Sequence, residues 1–302
     1  MSEDAAQVGF VGTGTMGAPM VRCLVQRGYR PMLYDANRDA AVAVASEAGL
    51  GVAESAAALA RSCQVVILML PDSEIVKSVC LGPDGLVEGL ATNAIVVDMS
   101  SSDPFETRSL GRQLAERQVT LLDAPVSGGV RKAVDGCLAI MLGGDDTAAM
   151  ERATPVLEAM GVVHLTGSLG SGHATKALNN YVSAAGLVAS CEAVVAGRAF
   201  GLDPKILIET INASTGRNNS TENKMIQFIL SNEFRRAGFA LSLMAKDVGM
   251  AAALADKVGH PLPGFQEASR LWSAACEALE SDADHTEIFR FVEAAGRLRA
   301  GG

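Results

Sequence analysis

VGFVGTGTMGAPM, residues 8–20, joins a short β-type run to the glycine pattern GxGxxG at Gly12, Gly14 and Gly17, and a helical pattern follows. In such a strand–turn–helix unit the first glycine permits a tight turn, the second lets the backbone approach a pyrophosphate, and the third lets the helix pack on the strand. The helix start offers free N–H groups to phosphates. The pattern therefore predicts a Rossmann-type dinucleotide-binding loop. Its residues are Gly12, Thr13, Gly14, Thr15, Met16 and Gly17.

The cofactor preference follows from the residue that ends the second predicted strand, residues 31–34. Asp35 comes directly after this strand, where a carboxylate can accept hydrogen bonds from both hydroxyls of an adenosine ribose. A carboxylate there also repels a 2′-phosphate, so we expect NAD in preference to NADP. Arg38 is compatible with either cofactor, because it could pair with a 2′-phosphate or be a solvated charge at a helix start. NADP therefore stays possible.

Further apolar runs predict the rest of the sheet. Continuous apolar runs are typical of strands buried on both faces, so we expect a doubly wound, mostly parallel sheet. The runs lie at residues 65–70, 94–98, 119–123 and 138–142.

The carboxyl ends of these strands mark the expected ligand crevice, because ligands of open α/β sheets bind there. We expect Leu70, Pro71 and Ser101 to line it, together with the loop 125–129. Ser100 and Ser101 could instead be only the N-cap of the following helix. In the loop, Ser127, Gly128 and Gly129 combine a hydroxyl with exposed backbone N–H groups. That combination suits a small carboxylate, although a plain loop is the alternative.

The second half of the chain has helical patterns and no further strand pattern. One helix is expected over residues 170–200, and Asp203 and Pro204 supply an N-cap and a first helical position for the next one. We therefore predict a Rossmann domain at 1–167 and an all-α domain at 168–302, linked by the long helix. The other helices are expected near residues 204–213, 220–231, 239–258, 262–280 and 284–297.

The long helix carries an unusual group of polar residues. Residues 177–200 are apolar enough to suggest a membrane span, but Asn179, Asn180, Glu192 and Arg198 interrupt them, so we expect a buried interface helix instead.

Lys176 is expected to share one face of this helix with Asn179 and Asn180. Desolvation lowers the pKa of a lysine and makes it a usable acid or base near neutral pH. The alternative is a lysine that reaches the surface. Lys246 and Asp247 form a second candidate pair, which could also be an exposed charge pair.

Composition excludes several classes of protein. The 302 residues carry a net charge of −9 and no run of Lys and Arg, so we expect neither nucleic acid nor an anionic membrane as partner. Six scattered cysteines without a CxxC pair indicate reduced thiols and no metal site. The sequence MSEDAAQ at residues 1–7 lacks an apolar signal segment. We therefore expect a cytoplasmic protein.

Four separated motifs resemble the β-hydroxyacid dehydrogenase family, which includes 3-hydroxyisobutyrate dehydrogenases, tartronate semialdehyde reductases and glyoxylate/succinic semialdehyde reductases. VGFVGTGTMGAPM (8–20) is similar to the family's dinucleotide signature, and DAPVSGGVRKAVDGCL (123–138) to its substrate-binding signature. GSGHATKALNN (170–180) is similar to its catalytic signature, and the KD pair (246–247) is the fourth motif. The resemblance covers essentially the whole chain. It implies a Rossmann domain joined by a long helix to an all-α domain, and a homodimer or homotetramer.

The resemblance also implies roles for individual residues. Lys176 would be the catalytic acid/base, and Asn180 would orient the substrate oxygen. Ser127, Gly128 and Gly129 would hold the substrate carboxylate. Phe239 would form a wall of the pocket, and Lys246 would reach cofactor and substrate with support from Asp247. Leu70, Pro71 and Ser101 would contact the cofactor, and serine keeps the hydroxyl of the threonine that family members often have at position 101.

The implied reaction transfers a hydride between the nicotinamide and a small β-hydroxyacid or semialdehyde. Two groups share this architecture and stay open as alternatives: enzymes similar to imine reductases, which generally lack the catalytic lysine, and enzymes similar to 6-phosphogluconate dehydrogenase. For the latter, Arg217 and Lys224 could bind a sugar phosphate. A dinucleotide-binding sensor without turnover is a further alternative. The motifs leave open which acid is used, in which direction, and whether Arg217 binds a second acidic group.

Overall fold

Residues 7–300 are described by the structure, a computed structural model, with the side chains of residues 7–296. Contacts divide the chain into two units between Lys176 and Ala177. Among the described residues, all the strands lie in the first unit, and the second unit is helical. The functional boundary expected after residue 167 stays a prediction.

The strands of the first unit are β1 Val8–Val11, β2 Met32–Tyr34, β3 Val65–Leu68, β4 Ile95–Asp98, β5 Thr120–Asp123, β6 Val126–Ser127, β7 Leu138–Gly143 and β8 Gly161–Gly167. They form one sheet with the order β2-β1-β3-β4-β5-β7-β6, and β8 pairs with β7. Strands β1 to β5 are parallel to one another, β7 is antiparallel to both β5 and β6, and β8 is parallel to β7. The predicted doubly wound sheet is thus confirmed, with a mixed edge added.

Two strands have no sequence prediction. β6 contains only two residues, which is too short for a recognisable pattern. β8 is exposed at Val162, His164 and Leu165, so it lacks the continuous apolar run that marks the central strands.

The central strands are apolar throughout because alternate residues face opposite sides of the sheet, and helices cover both sides. Phe10 and Ile67 belong to the core on one side, and Val66 and Leu68 to the core on the other. All four side chains are fully buried, and each contributes roughly 1.5–3 kcal/mol to stability. The helices of this unit are α1 Gly17–Gln26, α2 Arg38–Ala48, α3 Ala56–Ala60, α4 Ser73–Leu81, α5 Pro104–Ala115, α6 Gly129–Val134 and α7 Thr147–Glu158.

The long helix α8, Ser171–Phe200, begins in the first unit and continues in the second, which confirms the prediction of one helix there. Leu187, Cys191 and Val194 of this helix are fully buried in the core of the second unit, together with Trp272. The predicted all-α unit is confirmed. Its other helices are α9 Pro204–Asn212, α10 Asn219–Asn223, α11 Leu241–Lys257, α12 Pro263–Ala278 and α13 Ile288–Ala300.

The helix boundaries confirm one prediction and correct another. The side chain of Asp203 accepts hydrogen bonds from the N–H groups of Lys205 and Ile206, and Pro204 is the first residue of α9, as expected. The prediction of a single helix over 220–231 is wrong, because α10 ends before Lys224. The φ of Lys224 is −124°, outside the helical range, and a π-helical turn follows it.

Within residues 7–300, α8 alone is long and apolar enough to cross a membrane, as judged by length and composition. One third of its apolar window is buried inside the protein. Core helices of proteins that never meet a membrane satisfy the same criterion, so it does not assign α8 to a membrane.

Candidate functional site

The glycine loop between β1 and α1 has the geometry that its three glycines require. Gly12 has a φ of +94°, and a Cβ there would lie 2.2 Å from the carbonyl oxygen of Met69. A Cβ at Gly17 would lie 1.8 Å from the carbonyl oxygen of Gly12. A Cβ at Gly14 would meet no atom within 4 Å. Gly12 and Gly17 are thus needed by the fold itself, and Gly14 faces open space.

Asp35 is held in place by the same loop. Its Oδ2 accepts hydrogen bonds from the N–H of Thr13 at 2.6 Å and from the hydroxyl of Thr13 at 3.1 Å. Its Oδ1 accepts one from the N–H of Asn37 at 2.8 Å. Arg38, the first residue of α2, is exposed. The carboxylate is therefore fixed at the end of β2, through a contact with Thr13 that the sequence did not predict.

The ends of β3 and β4 meet as expected. The N–H of Leu70 donates to the hydroxyl of Ser100 at 2.9 Å, and the N–H of Ser100 donates to Asp98 at 2.9 Å. The N-cap of α5 is Asp103, whose carboxylate accepts the N–H groups of the first helical turn. The alternative in which Ser100 or Ser101 caps this helix is therefore wrong, because Pro104 at the first helical position places the cap at residue 103.

The loop that is expected to bind the substrate carboxylate begins at Ser127, the last residue of β6. Gly128 and Gly129 have φ values of +135° and +66°, which side chains rarely adopt. A Cβ at Gly128 would lie 2.6 Å from the side chain of Lys132, whereas one at Gly129 would meet no atom within 4 Å. The turn beyond Ser127 is therefore accessible, and it strongly favours glycine at both positions.

A buried network anchors the first turn of α8. Asp123, at the end of β5, accepts the N–H of Gly170 at 2.7 Å and of His173 at 2.8 Å. The ring of His173 lies 2.8 Å from the hydroxyl of Thr107 through Nδ1, and 3.7 Å from Asp98 through Nε2. The sequence prediction missed this network. Its only signal was that two apolar strands end in aspartate, since a buried carboxylate needs partners.

One turn further along α8 come the predicted polar residues. Lys176 is half-buried, and Asn180 is buried in the second unit. The Nδ2 of Asn180 donates to Oδ2 of Asp247 at 2.5 Å, and Lys246 lies 3.8 Å from the other oxygen of that carboxylate. Asp247 is 2% exposed, so the alternative of an exposed charge pair at 246–247 is wrong. The fold thus brings together the second half of the catalytic motif and the KD pair.

Phe239 lies beside a second buried acidic residue. Its N–H donates to Asp284 at 2.9 Å, and its ring packs edge-on against His285 with 5.6 Å between centroids. Burial lowers the pKa of His285. Burial opposes the ionisation of Asp284, but hydrogen bonds from His285 and Thr286 outweigh it and lower the pKa of that carboxyl. Phe239 is therefore fixed from two directions.

Two family models together match residues 7–292. Residues 7–170 match the model described as the NAD-binding domain of 6-phosphogluconate dehydrogenase. Residues 170–292 match the model described as NAD-binding of NADP-dependent 3-hydroxyisobutyrate dehydrogenase.

Relatives of known name agree with the second model. The mitochondrial 3-hydroxyisobutyrate dehydrogenase of Mus musculus is 34% identical, over 94% of this chain and 86% of the relative. The chain belongs to the β-hydroxyacid dehydrogenase family. The 2-(hydroxymethyl)glutarate dehydrogenase of Eubacterium barkeri is also 34% identical, over 89% of each chain. The solved structure of Mycobacterium tuberculosis 3-hydroxyisobutyrate dehydrogenase with L-serine is 30% identical, has a TM-score of 0.87, and matches 95% of this chain and 99% of its own.

Membership confirms the family resemblance and the activity class. The protein is an NAD(P)-dependent hydroxyacid dehydrogenase. Its cofactor is a nicotinamide dinucleotide, and the predicted glycine loop lies within the first matched model. The second model favours the hydroxyacid family over the 6-phosphogluconate alternative, because it covers the helical half that carries Asn180 and Asp247.

Proposed function

We propose that the enzyme oxidises the hydroxyl group of a small β-hydroxyacid, or reduces the matching semialdehyde, with Lys176 as general acid/base. The observation that carries this proposal is the arrangement on α8. Lys176 lies one turn before Asn180, whose side chain is held by the buried Asp247. A lysine beside a fixed amide can transfer a proton to or from a substrate oxygen that the amide orients.

The residues divide the work as follows. Lys176 in its neutral form takes the hydroxyl proton during oxidation and returns it during reduction. Asn180 has two N–H groups on Nδ2, and Asp247 accepts one, so the second is available to the substrate oxygen. Nicotinamide, when bound, accepts or supplies the hydride.

The remaining predicted residues bind and orient. Ser127, Gly128 and Gly129 hold the substrate carboxylate through the hydroxyl and the open turn. Phe239, fixed by Asp284, forms a wall of the pocket. The cofactor is proposed to contact the loop 12–17, Leu70, Pro71 and Ser101. Lys246 is proposed to contact both the cofactor and the substrate, supported by Asp247.

NAD is the proposed cofactor, because Asp35 presents a fixed carboxylate where a 2′-phosphate would lie. The protein is proposed to work in the cytoplasm as a homodimer or homotetramer. The assembly is part of what the family resemblance implies. The protein's six cysteines are free, which supports a reducing compartment. Fractionation of cells that express the enzyme tests this location, since the Mus musculus relative is named as mitochondrial.

The proposed chemistry is tested with Lys176→Ala. We expect kcat for a turned-over β-hydroxyacid to fall by about 10²- to 10⁴-fold, the usual scale for a positioned acid/base. NADH affinity should be unchanged, and it serves as the control for folding. A variant with near-normal kcat would exclude Lys176 as the acid/base, and a wild type that binds NADH yet converts no acid or semialdehyde would favour the sensor alternative.

A further inference from the structure

Lys224 is a half-buried cation within the second unit. It follows α10, and its Nζ lies 3.4 Å from the hydroxyl of Ser183 on α8. Burial lowers its pKa to about 8, although Asp284 and Cys191 act in the opposite direction. Among the residues that the structure describes, no carboxylate lies within 4.0 Å of this ammonium.

This environment leaves the ammonium poorly compensated. An ammonium has three N–H donors, and a 3.4 Å contact to one hydroxyl is a weak hydrogen bond. Asp284 cannot readily supply a stronger acceptor for this ammonium, because its oxygens already accept hydrogen bonds from Phe239 and Thr286. Enclosing such a charge costs free energy unless an anion joins it.

Arg217, the other cation considered for an acidic group, is in a different situation. Its side chain is 62% exposed, and its guanidinium lies 3.6 Å from the carboxylate of Glu222. An exposed, already paired arginine has little to gain from a second anion. Lys224 is therefore the stronger candidate.

The location of Ser183 connects Lys224 to the reaction. Along α8, Lys176, Asn180 and Ser183 are spaced i, i+4 and i+7, so they share one stripe of the helix. Seven residues of helix correspond to about 10 Å. With a hydrogen bond of roughly 3 Å at each end, roughly 4 Å remains, which a short flexible carbon arm can span.

We propose that Lys224 and Ser183 bind a second carboxylate of the substrate, which makes the enzyme selective for β-hydroxyacids with an acidic side arm. This proposal rests on the proposed function, because Lys176 and Asn180 fix where the reacting oxygen lies. Both groups act on binding and neither takes part in the proton transfer.

Two substrates form a matched pair for the test. 3-Hydroxyisobutyrate and 2-(hydroxymethyl)glutarate share the hydroxymethyl group and one carboxylate, and differ by a methyl against a CH₂CH₂COO⁻ arm. We expect wild type to have the higher kcat/KM for the dicarboxylate. Lys224→Met should reduce this preference by about 10- to 100-fold, the scale of a hydrogen bond to a charged group. Lys224→Arg should retain part of it, and Arg217→Met, the matched control, should leave it unchanged.

Other results would overturn the proposal. A wild type that prefers the monocarboxylate contradicts it, and so does a Lys224→Met variant in which kcat/KM falls equally for both acids, since that marks a purely structural lysine.

If neither acid is converted, the proposed function is in doubt, and calorimetry with the NADH-bound enzyme still tests the subsite. Glutarate should then bind more tightly than pentanoate in wild type but not in Lys224→Met. Equal binding in wild type excludes the subsite.

Discussion

The two units fix their functional residues by different means. In the glycine loops of the first, backbone conformation and close contacts dominate, as at Gly12, Gly17 and Gly128. In the second, side-chain hydrogen bonds between distant segments dominate, such as Asn180 to Asp247 across 67 residues. A site of the first kind is encoded in a few consecutive residues, whereas one of the second kind exists only after folding.

This difference predicts different failures when each unit is damaged. A substitution in the glycine loop should disturb the fold of the first unit or the cofactor affinity. A substitution at a side-chain partner in the second unit should lower turnover while the cofactor still binds.

The largest effect is expected for Gly17→Ala. The new Cβ would lie 1.8 Å from a backbone carbonyl oxygen, which cannot give way as a flexible side chain can. We expect a loss of about 3 kcal/mol or more in the free energy of unfolding, measured by denaturant titration, together with loss of NADH binding.

Gly14→Ala is the matched control, because its Cβ would meet no atom within 4 Å. We expect near-normal stability with weaker NADH binding, since the methyl group would occupy the space through which the pyrophosphate approaches. Equal stability losses in the two variants would contradict the distinct roles given to these glycines.

The next effect is expected for Asp247→Ala. Without this carboxylate, the buried amide of Asn180 loses the acceptor that orients it, and an unsatisfied buried donor costs about 1–3 kcal/mol. We expect kcat to fall by about 10- to 100-fold on the same scale, with the NADH dissociation constant unchanged in fluorescence titration. A matching loss of NADH affinity would break the distinction between the units.

Sequence patterns could predict the parts of the molecule that depend on local chemistry. The glycine loop, the strands β1 to β5 and β7, and the cap and proline at Asp203 and Pro204 are all visible in consecutive residues. The network of Asp98, Asp123 and His173 could not be predicted, because three segments far apart in sequence build it. The break at Lys224 could not be predicted either, because no glycine or proline marks it in residues 218–231.

A smaller effect, on cofactor choice, is expected for Asp35→Ser. Removal of the fixed carboxylate abolishes the repulsion of a 2′-phosphate and weakens the hydrogen bonds to the ribose hydroxyls of NAD⁺. We expect the ratio of kcat/KM for NADP⁺ to that for NAD⁺ to rise by about 10- to 100-fold. Adding Arg38→Ala tests the exposed neighbour: if Arg38 pairs with the phosphate, the double variant loses part of this gain. A ratio that does not move in Asp35→Ser would exclude Asp35 as the discriminating residue.

The smallest effect is a pH dependence of substrate preference in the wild type. The pKa of Lys224 is lowered by burial to about 8, so its ammonium is present below that pH and is lost as the pH rises through it. We expect the preference for 2-(hydroxymethyl)glutarate over 3-hydroxyisobutyrate to decline over the same range.

The groups that face Lys224 do not compete in this window. Burial lowers the pKa of His285 below its ordinary value, so that its ring is already neutral, and Asp284 is ionised throughout. Burial raises the pKa of Cys191 to about 12, so it stays a thiol. The ratio of the two kcat/KM values also cancels any pH effect on the proton transfer itself, which is common to both acids. If the ratio of the two kcat/KM values stays constant from pH 7 to about pH 9, the preference does not depend on Lys224. The same conclusion holds if the ratio declines equally in Lys224→Met.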